Sequence, residues 1–115
     1  MIAVLFEVLP SAGQRQRYLD LAAALRPTLE TMDGFISVER FCSLADPEKL
    51  LSLSFWRDEA AVRAWRNIPQ HRATQAVGRS DVFDDYRLRI AEVVRDYGMS
   101  SRVEAPPDSR VAHQA

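Results

Sequence analysis

The sequence predicts one small α+β domain with its elements in the order β-α-β-β-α-β. Three observations predict it. The amino terminus is a strand-length apolar run, two later segments carry apolar residues at spacings of three and four, and a short turn joins two strand-like runs between them. A length of 115 residues fits a single domain.

The first strand spans Ile2 to Leu9 and is apolar on both faces except at Glu7, the pattern of a central strand. Pro10 stops it. Ser11 and Gln14 then stand at capping-box spacing, which predicts a helix start worth about 1 kcal/mol. The helix places Tyr18, Leu21, Ala22, Leu25, Leu29 and Met32 on one stripe. Pro27 predicts a kink near residues 24–26, with the helix resuming because the stripe stays in phase. Asp33-Gly34 ends it, Gly34 taking the left-handed conformation.

A second strand is predicted from Phe35 to about Ser43 and a third from Leu50 to Trp56. Asp46-Pro47 between them reverses the chain into an antiparallel hairpin. Asp58 caps a second helix, with Glu59 in its first turn and Ala61, Val62 and Trp65 on its inner face. Pro69 starts a further short helix through Gly78. The last strand is read over 86–94, with Tyr86, Leu88 and Ile90 facing one way and Arg87, Arg89, Ala91 and Val93 the other.

This order is the ferredoxin-like split pattern: four antiparallel strands with both helices on one face. The opposite face is expected to carry Phe, Val, Leu and Trp residues. That is too much apolar surface to leave in water, so a second copy is expected to cover it, closing a dimeric α+β barrel that encloses a ligand. The domain is read as residues 1–98 and the remainder, 99–115, as a polar flexible tail containing a Pro-Pro pair.

Composition removes several function classes. Net charge is −1 and Lys49 is the one lysine, so nothing marks a nucleic-acid or anionic-membrane surface. No apolar run approaches the roughly 20 residues of a membrane span. Met1 to Phe6 lacks a basic leader and reads as strand, which makes a cytoplasmic location the default. Cys42 stands alone, so neither a disulfide nor a thiolate metal cluster can form, and a buried, inert thiol is expected. Phosphate-cradling, dinucleotide, zinc and nucleophile-elbow motifs are all missing.

The stretch from Leu51 through Phe55-Trp56-Arg57-Asp58-Glu59 to Trp65, followed by His71-Arg72, resembles the antibiotic biosynthesis monooxygenase (ABM) family, as does Asp33-Gly34-Phe35. The resemblance covers roughly residues 2–95. It implies a homodimeric α+β barrel and a small-molecule ligand. It also implies one of several activities: cofactor-free oxygenation of phenolic compounds, haem degradation, isomerisation of signal molecules, or binding alone.

The candidate site residues follow from side-chain chemistry and from that resemblance. His71 titrates near neutrality, so it suits a catalytic base; the haem-degrading branch implies an axial iron ligand instead, and a surface or capping role is the plain alternative. Phe6 and Glu7 occupy the region where that branch carries an Asn. Trp56 and Trp65 are read as walls for a flat substrate or as core packing, and Tyr86 as a hydroxyl donor. Arg72, Gln75 and Arg79 share the helical face of His71 and are read as substrate contacts or as a solvated face. Glu7 either pairs with Arg87 or Arg89 or, facing the barrel interior, acts as a base with raised pKa. No metal is expected. The functional expectation is a cofactor-independent monooxygenase acting on a small aromatic or polyketide-like compound, with a non-enzymatic binding dimer or a haem protein as alternatives.

Overall fold

The computed structural model describes residues 1–113. The strands are β1 (Ile2–Pro10), β2 (Phe35–Cys42), β3 (Leu50–Trp56) and β4 (Phe83–Glu92). The helices are α1 (Arg15–Glu30), α2 (Glu59–Arg66), α3 (Pro69–Val77) and the short α4 (Pro107–Ala112). The sheet order is β2-β3-β1-β4, every neighbouring pair antiparallel, so the apolar β1 is central as its sequence requires. This is the ferredoxin-like α+β fold that the element order predicts.

Strand pairing sorts the side chains onto two faces. Val4, Phe6 and Val8 of β1 align with Ser54, Ser52 and Leu50 of β3 and with Ile90, Leu88 and Tyr86 of β4. This face meets the helices in two buried clusters. One joins Val8 and Leu50 to Tyr18 and Val82, the other Trp56 to Leu29, Ala61 and Val62. The opposite face carries Ala3, Leu5 and Glu7 beside Leu51, Leu53 and Phe55. The expectation that Val and Trp residues populate that outer face is therefore corrected. Trp56 is 1% exposed beneath the helices, because its register with Ile2 puts it on the helix side.

Local chemistry explains most element ends. Gly34 has φ of +85°, and the Asp58 side chain accepts from the Ala61 amide at 2.9 Å, capping α2. Pro69 opens α3, where its missing N–H costs nothing. Pro27 lies inside α1, which continues to Glu30. The Ser43 hydroxyl accepts from the amides of Ala45 and Asp46, tightening the hairpin turn.

Four expectations are corrected. The capping box at Ser11 and Gln14 does not form: Gly13, at φ +76°, turns the chain, and the Ser11 hydroxyl donates to Asp84 instead. β4 begins at Phe83 rather than at residue 86, after a π turn over Gly78–Val82. Cys42 is exposed at the end of β2, its thiol 3.2 Å from the Pro47 carbonyl. Where polar sequence suggested a tail without order, residues 107–112 form α4, and Arg102 and Arg110 donate to the carbonyls of Gly98, Ser109 and Ala105. The final two residues of that expected tail, 114–115, lie outside the described residues.

One irregularity bears on the site. β2 aligns Phe35 with Trp56 and Ser37 with Phe55, leaving Ile36 as an extra residue, 53% exposed. A bulge of this kind resets the alternation of every residue beyond it. Val38 and Arg40 consequently align with Ser54 and Ser52 on the helix face.

Candidate functional site

Between the sheet and the helix layer lies a cavity of about 440 Å³, within the usual range for small-molecule sites. Its floor is the inner sheet face: Val4 and Phe6, Val38 and Arg40, Ser52 and Ser54, Leu88 and Ile90. Leu21, Leu25 and Leu29 of α1 cover one side, and residues of α2 and α3 the other. The space exists because β3 presents serines, not bulky apolar residues, where the sheet centre meets the helices. It is a different space from the expected chamber between two facing sheets. The cavity is built within one chain.

Most of the candidate residues converge on it. Trp56, Trp65, His71, Arg72, Gln75, Arg79 and Tyr86 all line the cavity. The three rings Trp56, Trp65 and His71 form a stacked series: the two indoles lie 6.5 Å apart, and the imidazole lies 4.3 Å from Trp65 at 23°. Trp65 therefore both packs on the core and walls the cavity. The Trp56 indole N–H donates to the Ser54 hydroxyl at 2.9 Å, which fixes its ring.

His71 is oriented by a single contact. Its Nδ1 lies 3.1 Å from the Trp65 carbonyl oxygen. A carbonyl only accepts, so Nδ1 carries the hydrogen, and in the neutral ring Nε2 keeps the lone pair. Burial pushes the imidazole pKa below its ordinary value; Arg72 acts in the same direction, and the Trp65 carbonyl opposes both. The neutral ring is therefore favoured at neutral pH.

The polar rim is partly self-satisfied. Arg79 donates to the Tyr86 hydroxyl at 2.7 Å, and Tyr86 packs on Phe6 and Phe83. Arg72 donates to Gln75 and to Asn67, at 3.0 and 2.8 Å. Among the described residues no group of three or more His, Cys, Asp or Glu side chains is placed to hold a metal ion.

Glu7 does not join them. It points to the outer sheet face and pairs with Lys49 at 3.2 Å and Arg89 at 3.5 Å, which lower its pKa. The pairing with Arg89 agrees with the cross-strand reading. Sequence reasoning missed Arg40, Ser52, Ser54 and Arg66, all in the cavity wall. The serines follow from alternation on β3 and were open to that inference. Arg40 was not, because the Ile36 bulge inverts its direction.

Comparisons with known proteins agree with this fold. A protein from Pyricularia oryzae described as jasmonate monooxygenase ABM is 46% identical over 93 residues, covering 81% of this chain and 43% of that protein. The Bacillus subtilis protein YqjZ is 32% identical over 63 residues, covering 54% of this chain and 53% of its own. The chain thus spans about half the length of the curated relatives it matches. Among solved structures, Rv0793 from Mycobacterium tuberculosis superposes with a TM-score of 0.75 at 16% identity, over 84% of this chain and 98% of that one. A structure described as an antibiotic biosynthesis monooxygenase gives 0.70 at 15% identity, over 82% and 99%. At such identities these two speak to the fold. No helix among the described residues is long and apolar enough to cross a membrane. The model of the family "Antibiotic biosynthesis monooxygenase" matches residues 1–77, which hold β1 through α3 and the ring series, and the chain belongs to that family.

Proposed function

We propose that the protein is a cofactor-independent monooxygenase whose substrate, a small and largely apolar aromatic or polyketide-like compound, binds in the cavity between sheet and helices. The observation that carries this reading is His71: a cavity-lining imidazole held neutral, with Nε2 left as the proton acceptor. A base in that state takes a proton from an activated CH₂ flanked by a carbonyl or phenol. The resulting carbanion gives one electron to dioxygen, and the two radicals couple to a C–OOH group. Loss of water leaves a carbonyl. The balance is R₂CH₂ + O₂ → R₂C=O + H₂O, and the substrate supplies all the electrons.

The remaining residues have roles in this scheme. Trp56 and Trp65 hold a flat substrate against the imidazole. Tyr86, whose oxygen already accepts from Arg79, presents a polarised O–H to the developing oxyanion. The Pyricularia oryzae relative takes its name from jasmonate. Jasmonate is a ketone, and it joins phenols and anthrones in the substrate panel.

The test is oxygen uptake with that panel in chelator-treated buffer. Uptake of one O₂ per substrate is expected, falling by about 100-fold or more in His71→Ala. Uptake abolished by the chelator, or undiminished in the variant, refutes the scheme. The outer face, with Leu5, Leu51, Leu53, Phe55 and the 42%-exposed Phe41, is proposed to pair with a second copy. Light scattering at micromolar concentration checks this, and a monomer there counts against it.

A further inference from the structure

We propose that Arg40 is an anion anchor, so that the ligand of this cavity is an amphiphile with an apolar body and one carboxylate held by the Arg40 guanidinium. The inference rests on the cavity being the substrate site and not on the oxygen chemistry assigned to it.

Arg40 is unusual among the charged residues of the wall. Its Nε is shielded from solvent and has no hydrogen-bond partner among the described residues. Arginine cannot shed its proton, and an N–H shielded from water without a partner is costly unless an acceptor arrives to meet it. Three further arginines line the cavity, and each is exposed: Arg79 is engaged by Tyr86, Arg72 by Gln75 and Asn67, and Arg66 stands at the rim. Among the described residues no Asp or Glu lines the cavity to balance them.

The geometry selects the ligand class. A guanidinium presents a planar fork of donors that matches a carboxylate with two parallel hydrogen bonds. Ser52 aligns with Arg40 across the strand pair and lines the same wall, adding a hydroxyl donor beside the fork. The rest of the floor is apolar, with Val4, Phe6, Val38, Leu88 and Ile90, except for Ser54, whose hydroxyl already accepts from the Trp56 indole. A sugar phosphate or a nucleotide would leave most of its polar groups unpaired there. An apolar acid leaves none.

Isothermal titration of the full chain with two matched pairs tests this: octanoate against octanol, and phenylbutyrate against phenylbutanol. In the wild type each acid is expected to bind about tenfold or more tightly than its alcohol. Arg40→Met is expected to bring that ratio below about twofold with alcohol affinity unchanged, and Arg40→Lys to keep part of it. Arg40→Met also removes a shielded N–H that has no partner, so its thermal midpoint is expected to equal or exceed the wild type's, which guards against misfolding as the cause. Equal wild-type affinities overturn the proposal, as does an acid preference that survives Arg40→Met but disappears in Arg72→Met. Failure to bind any of the four overturns the anchor and the cavity reading together. A binding contrast without oxygen uptake sinks the oxygenase alone.

Discussion

Gly34→Ala should be among the most damaging single-methyl additions to this fold, and the structure allows its cost to be worked out. Gly34 has φ of +85°, a conformation that costs a residue with a Cβ about 1–2 kcal/mol. The new Cβ would stand 2.7 Å from the Ala61 Cβ, where carbon atoms in contact prefer about 3.5–4.0 Å. Ala61 is buried in the α2 cluster with Trp56 and cannot retreat, so overpacking adds about 1–3 kcal/mol. Arg57, 3.3 Å away, is held by Asp33 and Asp58 and blocks the other side. Reduced freedom of the unfolded chain returns about 0.5 kcal/mol. The net loss is about 3 kcal/mol, a large share of the 5–15 kcal/mol typical of a domain. Urea denaturation of Gly34→Ala, Ala61→Gly and the double variant separates the two terms. Removing the Ala61 methyl should relieve the overlap but not the backbone strain, giving a coupling of about 1–2 kcal/mol. A loss below about 1 kcal/mol, or no coupling, would refute the reasoning.

His71 has a folded pKa below its ordinary 6.5, so the unfolded chain takes up the proton first as pH falls. Its contribution is whole above about pH 6.5 and declines as pH falls toward the folded value; urea midpoints from pH 5 to 8 should show a shallower acid limb in His71→Gln, and identical slopes contradict the assignment. Asp58 behaves as a carboxylate whose pKa is lowered by the Ala61 amide and by Arg57, so its support is present above the unfolded carboxylate range and lost as pH drops through the folded value. Asp58→Ala should reduce stability at pH 7 and flatten that acid limb, while Asp58→Asn, which still caps, should retain most of the stability. Glu7→Gln should leave ligand affinity in the cavity unchanged, since Glu7 lies on the opposite face; a shift beyond twofold would show that the two faces communicate.

Much of this architecture was legible because local chemistry and tertiary packing agree. Leu50 to Trp56 is strand at both levels, Asp58 caps where its sequence says, and Pro69 and Gly34 sit at the ends their backbone limits favour. The clustering of Trp56, Trp65 and His71 was readable from helix spacing plus one strand end. The misreadings have long-range causes. Ser11 abandons its cap because its amide is drawn to the Val82 carbonyl, which fixes it beside β4. β4 extends back to Phe83 because pairing with Pro10 and Leu9 overrides the poor strand propensity of Asp84-Asp85. Arg40 was hidden for a different reason: alternation predicts a face only while no residue is inserted, and nothing in Phe35-Ile36-Ser37 announces the insertion.

That inserted residue decides the sign of the chamber. Were Ile36 paired in regular alternation instead of bulged, Ser37, Glu39 and Phe41 would take the inward places now held by Val38, Arg40 and Cys42. A glutamate would replace an arginine over the ligand without any codon for either being altered. Relatives that share this scaffold can thus reverse their charge preference by drawing the bulged residue into the ladder at the start of an edge strand, with the hairpin turn taking up the one-residue slip, a change that an identity score scarcely registers.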